Sequence, residues 1–177
     1  LARKLGLEVV QPAKLKGSER QVFAGARPDV AVVVAYGKLI PVQLLDVPRH
    51  GFVNLHPSLL PRHRGPSPIQ WTLVCGDRTT GVTTIQLDEG MDTGPILLQE
   101  RVPVEPDETA ELLSERLSRI GADLVVSTLD GLEEGNVQPT PQPPDGANVT
   151  PMLRRSFAKV DWSMPARNLV NRLRGFT

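Results

Sequence analysis

Residues 30–35 read Val-Ala-Val-Val-Val-Ala, an unbroken apolar run dominated by β-branched side chains. No polar alternation breaks it. That pattern predicts a strand buried on both faces, the environment of a parallel sheet with helices on either side. A second strand is expected over Phe52–His56, where Phe52, Asn54 and His56 alternate with Val53 and Leu55. A proline-rich loop follows (Pro57, Pro61, Pro66 and Pro68), and Pro68 suits the first turn of a helix stopping at Gly76. Gly81–Asp88 and Ile96–Glu100 read as two further strands. Residues 107–129 are apolar at 112, 113, 117, 120, 124, 125 and 129, a helical period. Asp107, Glu108 and Glu111 give that helix an acidic first turn, the sign its N-terminus favours. Strand and helix alternate, so the class is α/β.

Glu133–Pro151 carries five prolines and reads as a linker or excursion. Leu1, Leu5 and Leu7 look like the tail of a helix stopped near Gly6, leading into a short strand at Glu8–Val10. Asn168–Thr177 has a helical period with no following cap, and both ends of the chain look cut.

The 177 residues are 40% hydrophobic and 23% charged, which suits one globular domain or a large piece of something bigger. No apolar run approaches the roughly 20 residues a membrane span needs. The single cysteine, Cys75, excludes an intrachain disulfide and a Cys-based zinc cluster, and favours a reducing compartment. It is expected to be a small buried hydrophobe. Twenty basic residues balance twenty acidic ones, but unevenly. Residues 1–64 hold ten Lys/Arg against four Asp/Glu, residues 65–145 four against fifteen, and residues 146–177 six against one. The net zero is a cancellation of blocks.

No GxGxxG, P-loop, HExxH or GxSxG pattern is present, so neither a nucleotide-phosphate cradle nor those hydrolase sites can be claimed. His50, His56 and His63 have no cysteine partner, and His63 sits between two arginines, which disfavours a metal site. What remains is a polar pair at a strand end. Asn54 and His56 are two apart and project from one face, just before a loop. By themselves they fit better the plainer reading, a satisfied core histidine with a turn-capping asparagine. The later loop Leu87–Pro95 adds Asp88, Glu89 and Asp92, with Gly90 and Gly94 letting the backbone bend near a ligand. By itself it could be a turn with solvated charges. If both strand ends meet at one edge, a carboxylate, an imidazole and an amide converge. Such a set can shuttle a proton and polarise a carbonyl. Trp71, Leu73 and Val74 are expected to pack in the core, and Trp162 to anchor the linker against the domain.

The run Asn54-Leu55-His56-Pro57-Ser58-Leu59-Leu60-Pro61, with Arg64-Gly65 and Pro68, resembles the signature of the folate-dependent formyltransferases. Gly81-Val82-Thr83 and Asp88-Glu89-Gly90-Met91-Asp92-Thr93-Gly94 match the second half of that signature. Within the family, residues 28–41, 64–71 and 159–163 are most similar to the branch acting on methionyl-tRNA. The resemblance implies a Rossmann-like fold with a mostly parallel sheet flanked by helices, lacking its opening strands here. It implies residues 1–135 as a catalytic domain and 136–177 as a linker toward a barrel-like domain outside the chain. The catalytic residues it implies are Asn54, His56 and Asp92, with His56 protonated. The donor 10-formyltetrahydrofolate would be bound by Ser58, Leu59, Leu60 and Pro61, by Tyr36, Gly37 and Leu39, and by Asp88, Glu89 and Gly90. No metal is implied. The acceptor would be initiator methionyl-tRNA, or alternatively a small amine such as a sugar nucleotide or glycinamide ribonucleotide. A monomeric enzyme of the bacterial cytoplasm, or alternatively of an organelle, is expected.

Overall fold

A computed structural model describes residues 1–11, 15 and 20–177. Among the described residues the α-helices and strands follow in the order α1 (Arg20–Ala26), β1 (Ala31–Val34), α2 (Val42–Leu45), β2 (Phe52–His56), α3 (Pro68–Cys75), β3 (Thr79–Gln86), β4 (Ile96–Pro103), α4 (Ala110–Glu134) and α5 (Ala166–Phe176). The four strands form one sheet in the order β1-β2-β3-β4. β1 pairs with β2 in parallel, whereas β2–β3 and β3–β4 are antiparallel. The expected α/β class is present, but the described sheet is mixed rather than mostly parallel, with one parallel pairing and two antiparallel ones.

The apolar stripe of α4 explains the position of the core. Leu113, Leu117 and Leu124 lie on one face and are buried against Val82 of β3 and Val102 of β4, with Leu73 of α3 closing the cluster. The helix begins later than the acidic residues suggest. Thr109 is its cap, its hydroxyl accepting the Leu112 amide at 3.4 Å, and Gly135 ends it in the left-handed region at φ 74°. Glu108 thus falls before the helix and is buried, held by Arg116 through two hydrogen bonds of 2.9 and 2.8 Å. Pro68 does open α3 and Gly76 does close it. Trp71 of that helix stacks edge-on against Phe157 and Phe176, so α5 packs on α3.

The run at 30–35 is a strand, but it is not covered on both sides. Among the described residues β1 lies at the edge of the sheet and no element covers Val32 and Val34, which are 42% and 57% exposed. The parallel ladder holds because hydrogen bonding to β2 does not depend on which layer covers the other face. Cys75 is exposed rather than buried, since it is the last residue of α3 and lies away from the core stripe. Trp162 is 83% exposed and anchors nothing among the described residues; Trp71 and Phe157 join this segment to the domain instead. Residues 8–10 are not a strand, and only a single 3-10 turn, Ala2–Leu5, precedes Gly6. No helix among the described residues is long and apolar enough to cross a membrane.

Candidate active site

β2 places Asn54 and His56 on one face of the sheet, next to the C-terminal end of β1. The antiparallel β3 leaves its own C-terminal end beside Val53, at the opposite end of β2. The two strand ends do not meet at one edge, and the convergence has another cause. The loop 87–95 folds back toward His56 and brings Asp92 with it. The Asp92 carboxylate lies 3.6 Å from His56 Nδ1, 3.4 Å from Asn54 Nδ2 and 2.8 Å from the Gly65 amide that donates to it. All three predicted catalytic side chains therefore share one place.

Two backbone conformations hold this arrangement. Asp92 and His63 both adopt left-handed angles, φ 54° and 57°. Each costs an L-residue about 1–2 kcal/mol and must be fixed by its neighbours. Asp92 is fixed by Gln142, whose Nε2 donates to the carbonyls of Asp92 at 2.7 Å and Gly94 at 2.8 Å. The Gln142 carbonyl oxygen accepts both Arg64 Nη2 at 2.6 Å and Nε at 3.1 Å, so one amide joins the two loops. Gly65, at φ 98°, passes so close to this region that a Cβ would lie 2.8 Å from the Thr150 carbonyl. His63 is fixed on its other side by Asp77 and Asn148.

Gln142, Asn148 and Thr150 all belong to the proline-rich segment expected to be a linker or excursion, and this segment crosses the site. Arg64 donates its amide to the Asn148 carbonyl, and its own carbonyl accepts the Thr150 amide. Ile96 and Thr140 exchange a further pair of backbone bonds. Nothing in the local sequence reveals these contacts, which join residues far apart along the chain.

His56 is 4% exposed. Burial pushes its imidazole below the ordinary value near 6.5, and the attraction of Asp92 and the bond to the His63 carbonyl only partly oppose this. The neutral ring is thus favoured at rest. His56 Nε2 donates to the His63 carbonyl at 2.9 Å.

The other predicted residues divide by exposure. Ser58 and Leu60 are buried; the Ser58 hydroxyl donates to the Arg62 carbonyl at 2.6 Å, and its carbonyl accepts Thr83 Oγ1 at 2.6 Å. The Leu60 carbonyl accepts Gln99 Nε2 at 2.8 Å, Pro61 is buried, and Leu59 is half-buried. Tyr36 and Leu39, flanking the left-handed Gly37, are 41% and 66% exposed beyond the end of β1. Asp88 closes its own loop by accepting the Gly90 amide at 3.0 Å and the Thr93 hydroxyl at 2.8 Å. Glu89 lies on the rim of an open depression of about 600 Å³ with Arg20, Val42, Gln43, Leu45 and Asp46.

A formyl transferase profile matches residues 8–129, most of the chain, and the chain belongs to that family. Two curated relatives are methionyl-tRNA formyltransferases: from Parvibaculum lavamentivorans, 48% identical, and from Thermodesulfovibrio yellowstonii, 43% identical, each over 99% of this chain. The chain spans about 57% of the length of these relatives. Among solved structures, a sugar N-formyltransferase from a Shewanella species superimposes with a TM-score of 0.81 at 21% identity, covering 99% of this chain and 70% of that one. HypX from Aquifex aeolicus, in complex with tetrahydrofolic acid, gives 0.78 at 20% identity, covering 98% and 30%. Both show that the fold is shared.

Proposed function

We propose that the chain is the catalytic part of an enzyme that moves a formyl group from 10-formyltetrahydrofolate to the amino group of initiator methionyl-tRNA in the cytoplasm. The observation that carries this reading is the convergence of Asn54, His56 and Asp92 in a member of the formyl transferase family. The choice of acceptor is supported by the relatives named for methionyl-tRNA at 43–48% identity.

In this reaction the amine forms a bond to the formyl carbon, whose carbonyl electrons move to oxygen. The bond to the folate nitrogen then breaks, and the proton lost by the amine is needed at that nitrogen. The side chains present suit each need. Asn54 Nδ2 has one long contact, to Asp92, so its other hydrogen is free among the described residues to meet the oxyanion. Such a donor is worth about 3 kcal/mol of barrier. A neutral His56 with hydrogen on Nε2 has its Nδ1 lone pair free to take the amine's proton and return it to the leaving nitrogen. Asp92 faces that same nitrogen and stabilises the imidazolium formed in between. The exposed Tyr36, Leu39 and Met91 offer apolar surface beside the trio for the flat ring system of the donor. Ser58, Leu60 and Pro61 of the loop after β2 are buried and offer the donor a firm backbone.

The test is a formyl-transfer assay with the full-length protein, comparing methionyl-tRNA with sugar nucleotides and glycinamide ribonucleotide. The reading expects kcat/KM for methionyl-tRNA to exceed the others by orders of magnitude. A sugar nucleotide as the better acceptor would overturn the choice of tRNA and retain the chemistry.

A further inference from the structure

We propose that His63 is a positioning residue which sets the protonation pattern of His56; the proposal rests on the formyl-transfer reading above. A carbonyl oxygen only accepts hydrogen bonds, so the 2.9 Å contact between the His63 carbonyl and His56 Nε2 requires a hydrogen on Nε2. The competing acceptor is Asp92, on the other side of the ring, 3.6 Å from Nδ1. At 3.6 Å the Asp92 contact is too long for a hydrogen bond, whereas the His63 contact is of ordinary length, so Nε2 is the nitrogen that donates. The proton that His56 gains and loses in turnover is thereby confined to Nδ1, which faces Asp92, the carboxylate that Asn54 also contacts.

The side chain of His63 is what holds its carbonyl in place. It is 3% exposed and clamped at both ring nitrogens. Nε2 donates to Asp77 Oδ2 at 2.5 Å, and Nδ1 accepts Asn148 Nδ2 at 3.4 Å. Asn148 also accepts the His63 amide at 2.6 Å, and Arg62 holds the second oxygen of Asp77 at 2.8 Å. Asp77 itself is tied to the end of α3, its amide donating to the Thr72 carbonyl at 3.0 Å. The left-handed backbone of His63 aims its carbonyl at His56, and these anchors lie outside the reacting trio. His63 acts through His56, without touching substrate.

The experiment uses the full-length protein labelled with ¹⁵N-histidine, reading the ring nitrogens of His56 by NMR, alongside transfer kinetics. In the wild type the neutral His56 should carry its hydrogen on Nε2. In His63→Leu the hydrogen should move toward Nδ1, drawn by Asp92. kcat should then fall by about 10²-fold, as expected for a misplaced catalytic group. The KM for the folate donor should stay within about twofold, since ground-state binding is untouched. His63→Gln keeps a donor for Asp77 and should restore most of kcat. Where His63→Leu does not fold, Asn148→Ala should shift the tautomer in the same direction by less. A wild-type His56 with its hydrogen on Nδ1, or a His63→Leu protein with unchanged tautomer and kcat, would overturn the proposal. A wild type showing the expected tautomer but no formyl transfer would refute the functional reading and leave the positioning role supported.

Discussion

The two sides of the candidate site differ in how firmly they are held. On the side of β2 and the loop 57–65 most groups are buried, and the crossing segment 140–151, itself largely exposed, ties the site together by hydrogen bonds across long chain separations. On the side of β1, the residues Val32, Val34, Tyr36 and Leu39 are exposed, and no residue of α1 is buried. On the proposed formyl-transfer reading, the groups that would meet the transition state belong to the first side, and the surface that would take the donor ring belongs to the second. Catalysis depends on groups that need not reorganise during reaction, whereas a large ligand must enter from somewhere open.

Substitutions on the two sides should therefore fail differently. Asp92→Ala in the full-length protein should lower kcat by about 10³-fold while the fold is retained, because it removes the partner of the imidazolium. Asn54→Ala should cost about 10²-fold in kcat, the loss of one oxyanion donor. Leu39→Ser, on the open side, should instead raise the KM for the folate donor and leave kcat nearly unchanged. Equal effects on kcat from Leu39 and Asn54 would erase the distinction between the sides.

Acidity sharpens the same contrast. Since burial lowers the His56 value, the neutral base should persist below pH 6.5, and kcat/KM should decline only on the acid side of that point. Asp92 opposes the lowering, so Asp92→Asn should move the acid limb to still lower pH. The same shift has a sign for stability: the unfolded chain takes up a proton near pH 6.5 before the folded one does. The His56 contribution is therefore complete above that pH and is lost as the pH falls toward the folded value. Denaturant midpoints across this range, compared with His56→Gln, measure it.

Much of this was legible because it is periodic or local. The alternation in Phe52–His56 placed Asn54 and His56 on one face, and Pro68 and Gly76 bracketed α3. The apolar spacing of α4 identified its buried stripe. The meeting of Asp92 with His56 was anticipated, but through a shared sheet edge that the antiparallel β3 rules out. Gln142, Asn148 and the His63–Asp77 pair were illegible, since their partners lie elsewhere in the chain and no repeat or spacing marks them. The exposure of Val32 and Val34 was hidden for a related reason. An apolar run fixes the strand, while its covering layer is a property of other segments.

The most direct measurement is a single-turnover assay on the full-length protein with 10-formyltetrahydrofolate and methionyl-tRNA, comparing wild type with His56→Ala and measuring donor affinity in both. The account predicts formyl-methionyl-tRNA from the wild type and a loss of about 10³-fold in the variant, at unchanged donor affinity. Transfer at a near-normal rate by His56→Ala would contradict it.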